Sequence, residues 1–156
     1  MSKSISGLFH GTSGYVVVEV NKLQLSSHPE TTSVVWKHIK STQDNYAGTI
    51  IPKSFEVDVP VTDQTPSGKM WTHGNATEHI YEAISSTHDY PQIKNGNPKL
   101  YTQFILYDYY KTLGNAVRNG VKYEKLIKSG NWEFIFSKPR KAQDYPVVKH
   151  SKFNGI

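Results

Sequence analysis

The 156-residue chain has no cysteine. A disulfide framework and a zinc ribbon are therefore both excluded. The lack of thiols suits a protein that folds in an oxidising place and works in a reducing one, although composition alone does not fix the compartment. No apolar run approaches the roughly 18 residues that a transmembrane helix needs. The N-terminus also lacks the charged-then-apolar pattern of a signal peptide, so the expectation is either a cytosolic protein or a piece of a larger exported chain. Several catalytic signatures are missing: G-x-x-x-x-G-K and G-x-G-x-x-G for nucleotides, H-E-x-x-H for zinc, and G-x-S-x-G for a serine hydrolase. Acidic residues are few, with 13 Asp and Glu against 18 Lys and Arg, a formal charge of +5. A surplus of this kind favours polyanions through counterion release.

Hydrophobic residues make up only 37%, but aromatics reach 12%, with ten tyrosines and three tryptophans. Large rings can bury enough area to hold a core, so one folded domain over residues 1–156 is expected, with residues 1–14 as a flexible lead-in. Residues 15–20 are a β-branched strand candidate, and 34–39 suit either a strand or a helical turn. The stretch 45–53 reads as a loop, 55–59 alternates as a strand with one wet face, and 69–72 pairs back on it as a hairpin. Turn formers fill 88–98. A long helix follows over about 99–119, its stripe carried by Leu100, Phe104, Tyr107, Lys111, Gly114 and Val117. The tyrosines of this helix read as core, with Tyr109 or Tyr110 as candidates for base stacking. Residues 122–128 and 132–137 flank Ser129-Gly130-Asn131 as a hairpin, with Trp132, Phe134 and Phe136 on its core face. A last strand spans 147–153, with Lys149 and Ser151 on one face and His150 on the other. No repeat or low-complexity tract occurs. The fold class expected is α+β, helices followed by an antiparallel sheet in a single compact domain.

Residues 69–85 organise the rest. They read as a strand, a turn at Gly74 and a helix capped by Asn75, with Glu78 completing a capping box. Ala76, Ile80, Ala83 and Ile84 share the apolar face. His73 lands just before the helix, where free N–H groups favour anions, and His79 borders the apolar face one turn in. A second cluster holds Lys138, Arg140, Lys141, Lys149, His150, Ser151 and Lys152, with Asp144 as its sole acid. Lysines also protect sheet edges, which accounts for Lys149 and Lys152 but less well for a histidine between them. Metal-free cleavage of RNA needs a base for the 2′-hydroxyl, an acid for the leaving oxygen and cations for the phosphorane. Imidazole suits the first two because it titrates near neutrality. His79, His150, His73, Lys149 and Ser151 are the catalytic candidates. Asn75, Arg140, Lys138, Lys141 and Lys152 are the substrate-binding ones. No metal ligand set and no cofactor are expected. His10 is a weaker candidate, and His28, His38 and His88 read as surface residues.

At Trp71-Thr-His-Gly-Asn-Ala-Thr-Glu-His-Ile, Gly130-Asn-Trp-Glu-Phe-Ile-Phe-Ser-Lys-Pro-Arg and Pro146-Val-Val-Lys-His, the chain resembles C-terminal toxin domains of bacterial polymorphic toxins, including those of the LXG type and of contact-dependent inhibition systems. The similarity covers residues 50–153. It implies a small ribonuclease of the barnase–EndoU–RelE-like class, with helices before an antiparallel sheet that bears the active site. Asn75 and His79 match the first motif of that group and His150 its terminal histidine. His73 stands where only some members have histidine, and Glu78 stands where lysine is common, which removes a cation beside His79. The resemblance further implies RNA as substrate, tRNA among the candidates, and action as a monomer with no membrane segment. It also implies delivery into a target-cell cytoplasm as the end of a secreted or surface toxin, and a cognate immunity protein.

Two other classes stay open. One is a metal-dependent or DNA-directed nuclease toxin. The other is a non-enzymatic nucleic-acid-binding or inhibitor module, for which basic charge would serve equally well.

Overall fold

The computed structural model describes residues 16–20, 34–85, 98–140 and 145–154. The expectations for residues 1–14 and 88–97, and those for His10, His28, His88 and Lys141, lie outside these.

Among the described residues nine elements follow in order: β1 (Val17–Val20), β2 (Ile39–Ser41), β3 (Phe55–Asp58), β4 (Lys69–Thr72), α1 (Gly74–Ser85), α2 (Pro98–Val117), β5 (Leu126–Ser129), β6 (Trp132–Ser137) and β7 (Val147–Phe153). A 3₁₀ turn at 34–37 leads into β2, so the ambiguous 34–39 stretch is mostly turn. One seven-stranded sheet has the order β1-β5-β6-β7-β4-β3-β2. Four pairings are antiparallel, and two, β1 with β5 and β7 with β4, are parallel. The α+β class and the single compact domain are as expected. The order is mixed, because among the described residues both helices follow β4 and precede β5. Among the described residues no helix is long and apolar enough to cross a membrane.

Alternation sets the strands. Phe55 and Val57 are buried while Glu56 and Asp58 are half-exposed, and Trp132, Phe134 and Phe136 are wholly buried along β6. Gly130, at φ 55°, takes the left-handed position of the β5–β6 turn that a side chain would resist. Tyr109 of α2 stands under the sheet, edge-on to Phe55, Trp132 and Phe134 with centroids 5.2–5.9 Å apart. Its hydroxyl bonds Thr72 Oγ1 at 2.7 Å, which satisfies both buried oxygens.

The buried face of α2 is Tyr101, Ile105, Tyr109, Leu113 and Val117, with Leu106 beside it. Of the expected stripe, Val117 is buried and the rest lies off the buried face. Leu100, Phe104, Tyr107 and Gly114 are half-exposed, and Lys111 is exposed. The helix carries aromatic residues around most of its circumference, so its own pattern does not select a face; contact with Phe55 and Trp132 does. Tyr109 is therefore sealed from any nucleobase, and Tyr110 is half-buried against His38, their rings parallel at 4.3 Å. His38 is thus more than a surface residue.

Candidate functional site

The parallel pairing of β4 with β7 is short: Trp71 opposite Val147 and Thr72 opposite Val148. One more bond, from His73 N–H to Val148 O at 3.0 Å, ends it. The chain then turns into α1. Because β7 claims the His73 amide, that residue stays extended and becomes the helix cap. Its carbonyl accepts from the amides of Ala76 and Thr77, and its Nδ1 accepts the Asn75 N–H at 3.0 Å. The expected cap is therefore corrected. Asn75 is the second residue of the helix with an exposed side chain, and the box with Glu78 does not form, because the sheet fixes the boundary two residues earlier. Ala76, Ile80 and Ile84 are buried as expected, joined by Thr77, whose hydroxyl donates to Lys53 O at 2.7 Å.

Beyond Val148, β7 keeps only β6 on one side and lies against α1 on the other. The Ser151 hydroxyl donates to Ala76 O at 3.1 Å and is completely buried. The expected catalytic role of Ser151 does not fit this geometry, since no substrate reaches an oxygen used to fasten strand to helix. The ladder shifts register here. Phe136 faces Val148 and Ile135 faces His150, so Lys149 is an extra residue, a β-bulge. Strict alternation fails at that point, and this overturns the expectation that Lys149 and Ser151 share a face. The Lys149 ammonium is bound to the Glu124 carboxylate. Glu124 itself adopts φ 58°, a left-handed conformation costing on the order of 1 kcal/mol or more. Lys149 is thus a neutralised cation and not a free one.

The bulge brings His150 to His79. Their ring centroids are 5.3 Å apart at 70°, an edge-to-face contact. His79 Nδ1 lies 3.0 Å from Glu82 Oε1, one helical turn on. A carboxylate only accepts at neutral pH, so Nδ1 carries the proton and Nε2 is the nitrogen left for a substrate. The His79 side chain is 44% exposed. His150 is half-buried, and its affinity for a proton is lowered, first by burial, then by the charge of His79 and that of Lys152, against an opposing pull from Glu133. Glu133 pairs across the sheet with exposed Lys152.

His73 stands edge-on to Trp71 at 5.3 Å. Its proton affinity is also lowered, by burial and then by Arg140. With Nδ1 occupied by the Asn75 amide, neutral His73 presents an Nε2–H donor and not a base. Lys138 and Arg140 are exposed. The site thus has two parts, an imidazole pair held by α1 and the β7 bulge, and a donor group of His73 and Arg140 at the helix start. Among the described residues no three His, Asp or Glu side chains group as a metal set. Sequence reasoning missed Glu82, Glu124 and Glu133. The three-residue spacing of His79 and Glu82 on one helix was a legible signal; the other two depend on cross-strand register. No protein-family model matches the chain and no curated protein matches it.

Proposed function

We propose that the protein is a metal-independent ribonuclease that acts as a toxin on RNA in target bacteria, where it is delivered as the end of a larger exported chain, and that a cognate immunity protein holds it in check in the producer. The observation that carries the catalytic part is the contact of His79 with His150, one ring oriented by a carboxylate and the other biased toward its neutral form.

The roles follow from those environments. Neutral His150 takes the proton of the ribose 2′-hydroxyl, and the oxygen attacks the adjacent phosphorus. The imidazolium form of His79, its Nδ1–H directed at Glu82, gives its Nε2 proton to the departing 5′-oxygen. The P–O5′ bond breaks, and the products are a 2′,3′-cyclic phosphate and a 5′-hydroxyl. At 5.3 Å the rings touch, so the phosphate lies across their edges and not between them. Arg140, Lys152 and the Nε2–H of His73 supply the positive field for the phosphorane.

The test is cleavage of total RNA in EDTA by the wild type and by His79→Ala and His150→Ala. Each substitution is expected to lower the rate about 10²–10⁴-fold, with cyclic phosphate ends on the wild-type products. Wild-type inactivity, or undiminished cleavage by both variants, overturns the reading. Cleavage of plasmid DNA only with magnesium would point to the other nuclease class.

A further inference from the structure

At the opposite end of β4 from His73, about 13 Å away along the strand, a groove of about 330 Å³ runs between α2 and the segment after β3. Asp58, Val59, Pro60, Tyr110, Lys111, Gly114 and Arg118 line it. Its charges are unequally satisfied. The Asp58 carboxylate takes the Lys69 ammonium on Oδ1, and its Oδ2 lies 3.2 Å from His38 Nδ1. Lys111 and Arg118 are exposed, and their side chains have no ion pair or hydrogen bond among the described residues. Gly114 sits between them on the helix and leaves the floor bare, with a Cβ there standing 3.6 Å from Pro60. The parallel stack of His38 on Tyr110 closes one wall.

These features select a ligand with two different ends. The free carbonyls at the C-terminus of α2 disfavour an anion by about half a charge, but two full positive charges outweigh that. A carboxylate offers about four acceptor directions, and Lys69 and His38 use two, so Asp58 can still accept from hydroxyls. Tyr110 adds a phenol held in its protonated form by burial and by the Asp58 charge. A purely cationic ligand is repelled by Lys111 and Arg118. We propose that this groove binds a phosphorylated ribose, its phosphate between Lys111 and Arg118 and its hydroxyls on Asp58. The site is separate from the imidazole pair and does not depend on RNA cleavage.

Isothermal titration of the full chain at low salt tests this with ribose 5-phosphate, ribose and inorganic phosphate. Saturable binding of ribose 5-phosphate is expected, with inorganic phosphate weaker and ribose silent. Lys111→Ala and Arg118→Ala, both at exposed positions, should each weaken it tenfold or more while leaving the thermal melt unchanged. A 5′-phosphorylated oligonucleotide whose first nucleotide keeps its 2′-hydroxyl and whose others are 2′-O-methyl, compared with its 5′-hydroxyl form on the His150→Ala variant, separates the sources. Tighter binding than ribose 5-phosphate, lost without the 5′-phosphate, identifies an RNA end; equal or weaker binding identifies a free sugar phosphate. The 2′-O-methyl groups remove every nucleophile but the first, and His150→Ala removes the base proposed for that one, so the result is independent of whether the protein cleaves RNA. No saturation by about 10 mM, or affinity unchanged in both variants, overturns the proposal.

Discussion

Single residues in this fold divide between those that hold the site and those that hold the molecule, and two substitutions separate the roles. Ser151 looked catalytic by position but is buried with its hydroxyl on Ala76 O. Ser151→Ala should cost about 1 kcal/mol of stability and leave the cleavage rate per folded molecule unchanged, as urea unfolding paired with an RNA assay will show. Asp108 is a different case. It is nearly sealed in the core, accepting from Trp132 Nε1 at 2.8 Å, and burial pushes its carboxyl up from 3.8 to about 6. A pKa raised on folding means the native state binds the proton more tightly than the unfolded chain. Its contribution to stability is whole below pH 3.8 and is lost as pH rises through about 6. The shift corresponds to about 3 kcal/mol. Asp108→Asn keeps the acceptor for Trp132 and discards the charge, at the cost of burying an amide. Urea unfolding should find the variant about 1–2 kcal/mol more stable at pH 8, with the advantage gone by pH 4.

Elements explain what the sequence disclosed and what it concealed. The β5–β6 hairpin was legible because Gly130-Asn131 and the alternation of Trp132, Phe134 and Phe136 are local signals that agree. The apolar side of α1 was legible for the same reason. Hidden features depend on partners far along the chain. The start of α1 is set by Val148 O taking the His73 amide, and no property of Asn75 reveals that. Nor does α2 indicate that Tyr109 and not Tyr107 faces the sheet. His79 and His150 could be named as candidates, but their contact depends on the bulge at Lys149, which strict alternation forbids. That bulge can be tested. Without Lys149 the pairs Phe136–Val148, Ile135–His150 and Phe134–Ser151 form a regular ladder. Deletion of Lys149 should therefore leave the fold cooperative, with Tm within a few degrees of wild type. It should still abolish most RNA cleavage, because β7 loses the local twist that carries His150 to His79. An inactive but unfolded deletion, seen by circular dichroism, would instead make Lys149 a fold determinant.

Over the whole molecule, the formal charge of +5 says little until it is located. Beside the imidazole pair, Lys149 is cancelled by Glu124 and Lys152 stands opposite Glu133, while Arg140 is close enough to His73 to depress its protonation. A protein that attracts RNA only through net charge would lose affinity equally for any lysine or arginine removed. One that uses a local field would not. Counterion release distinguishes the two, because log K against log salt falls by about 0.7 for each phosphate engaged on a single strand. With uncleavable 2′-O-methyl RNA, Arg140→Ala should flatten the slope by about 0.7 and Lys138→Ala by as much or less. Lys149→Ala should leave it within error, since releasing Glu124 exchanges one neutral pair for one exposed acid at the margin of the site. Equal slopes for Arg140→Ala and Lys149→Ala would mean that RNA follows the overall charge, and the donor group at the start of α1 would then have no part in holding phosphate.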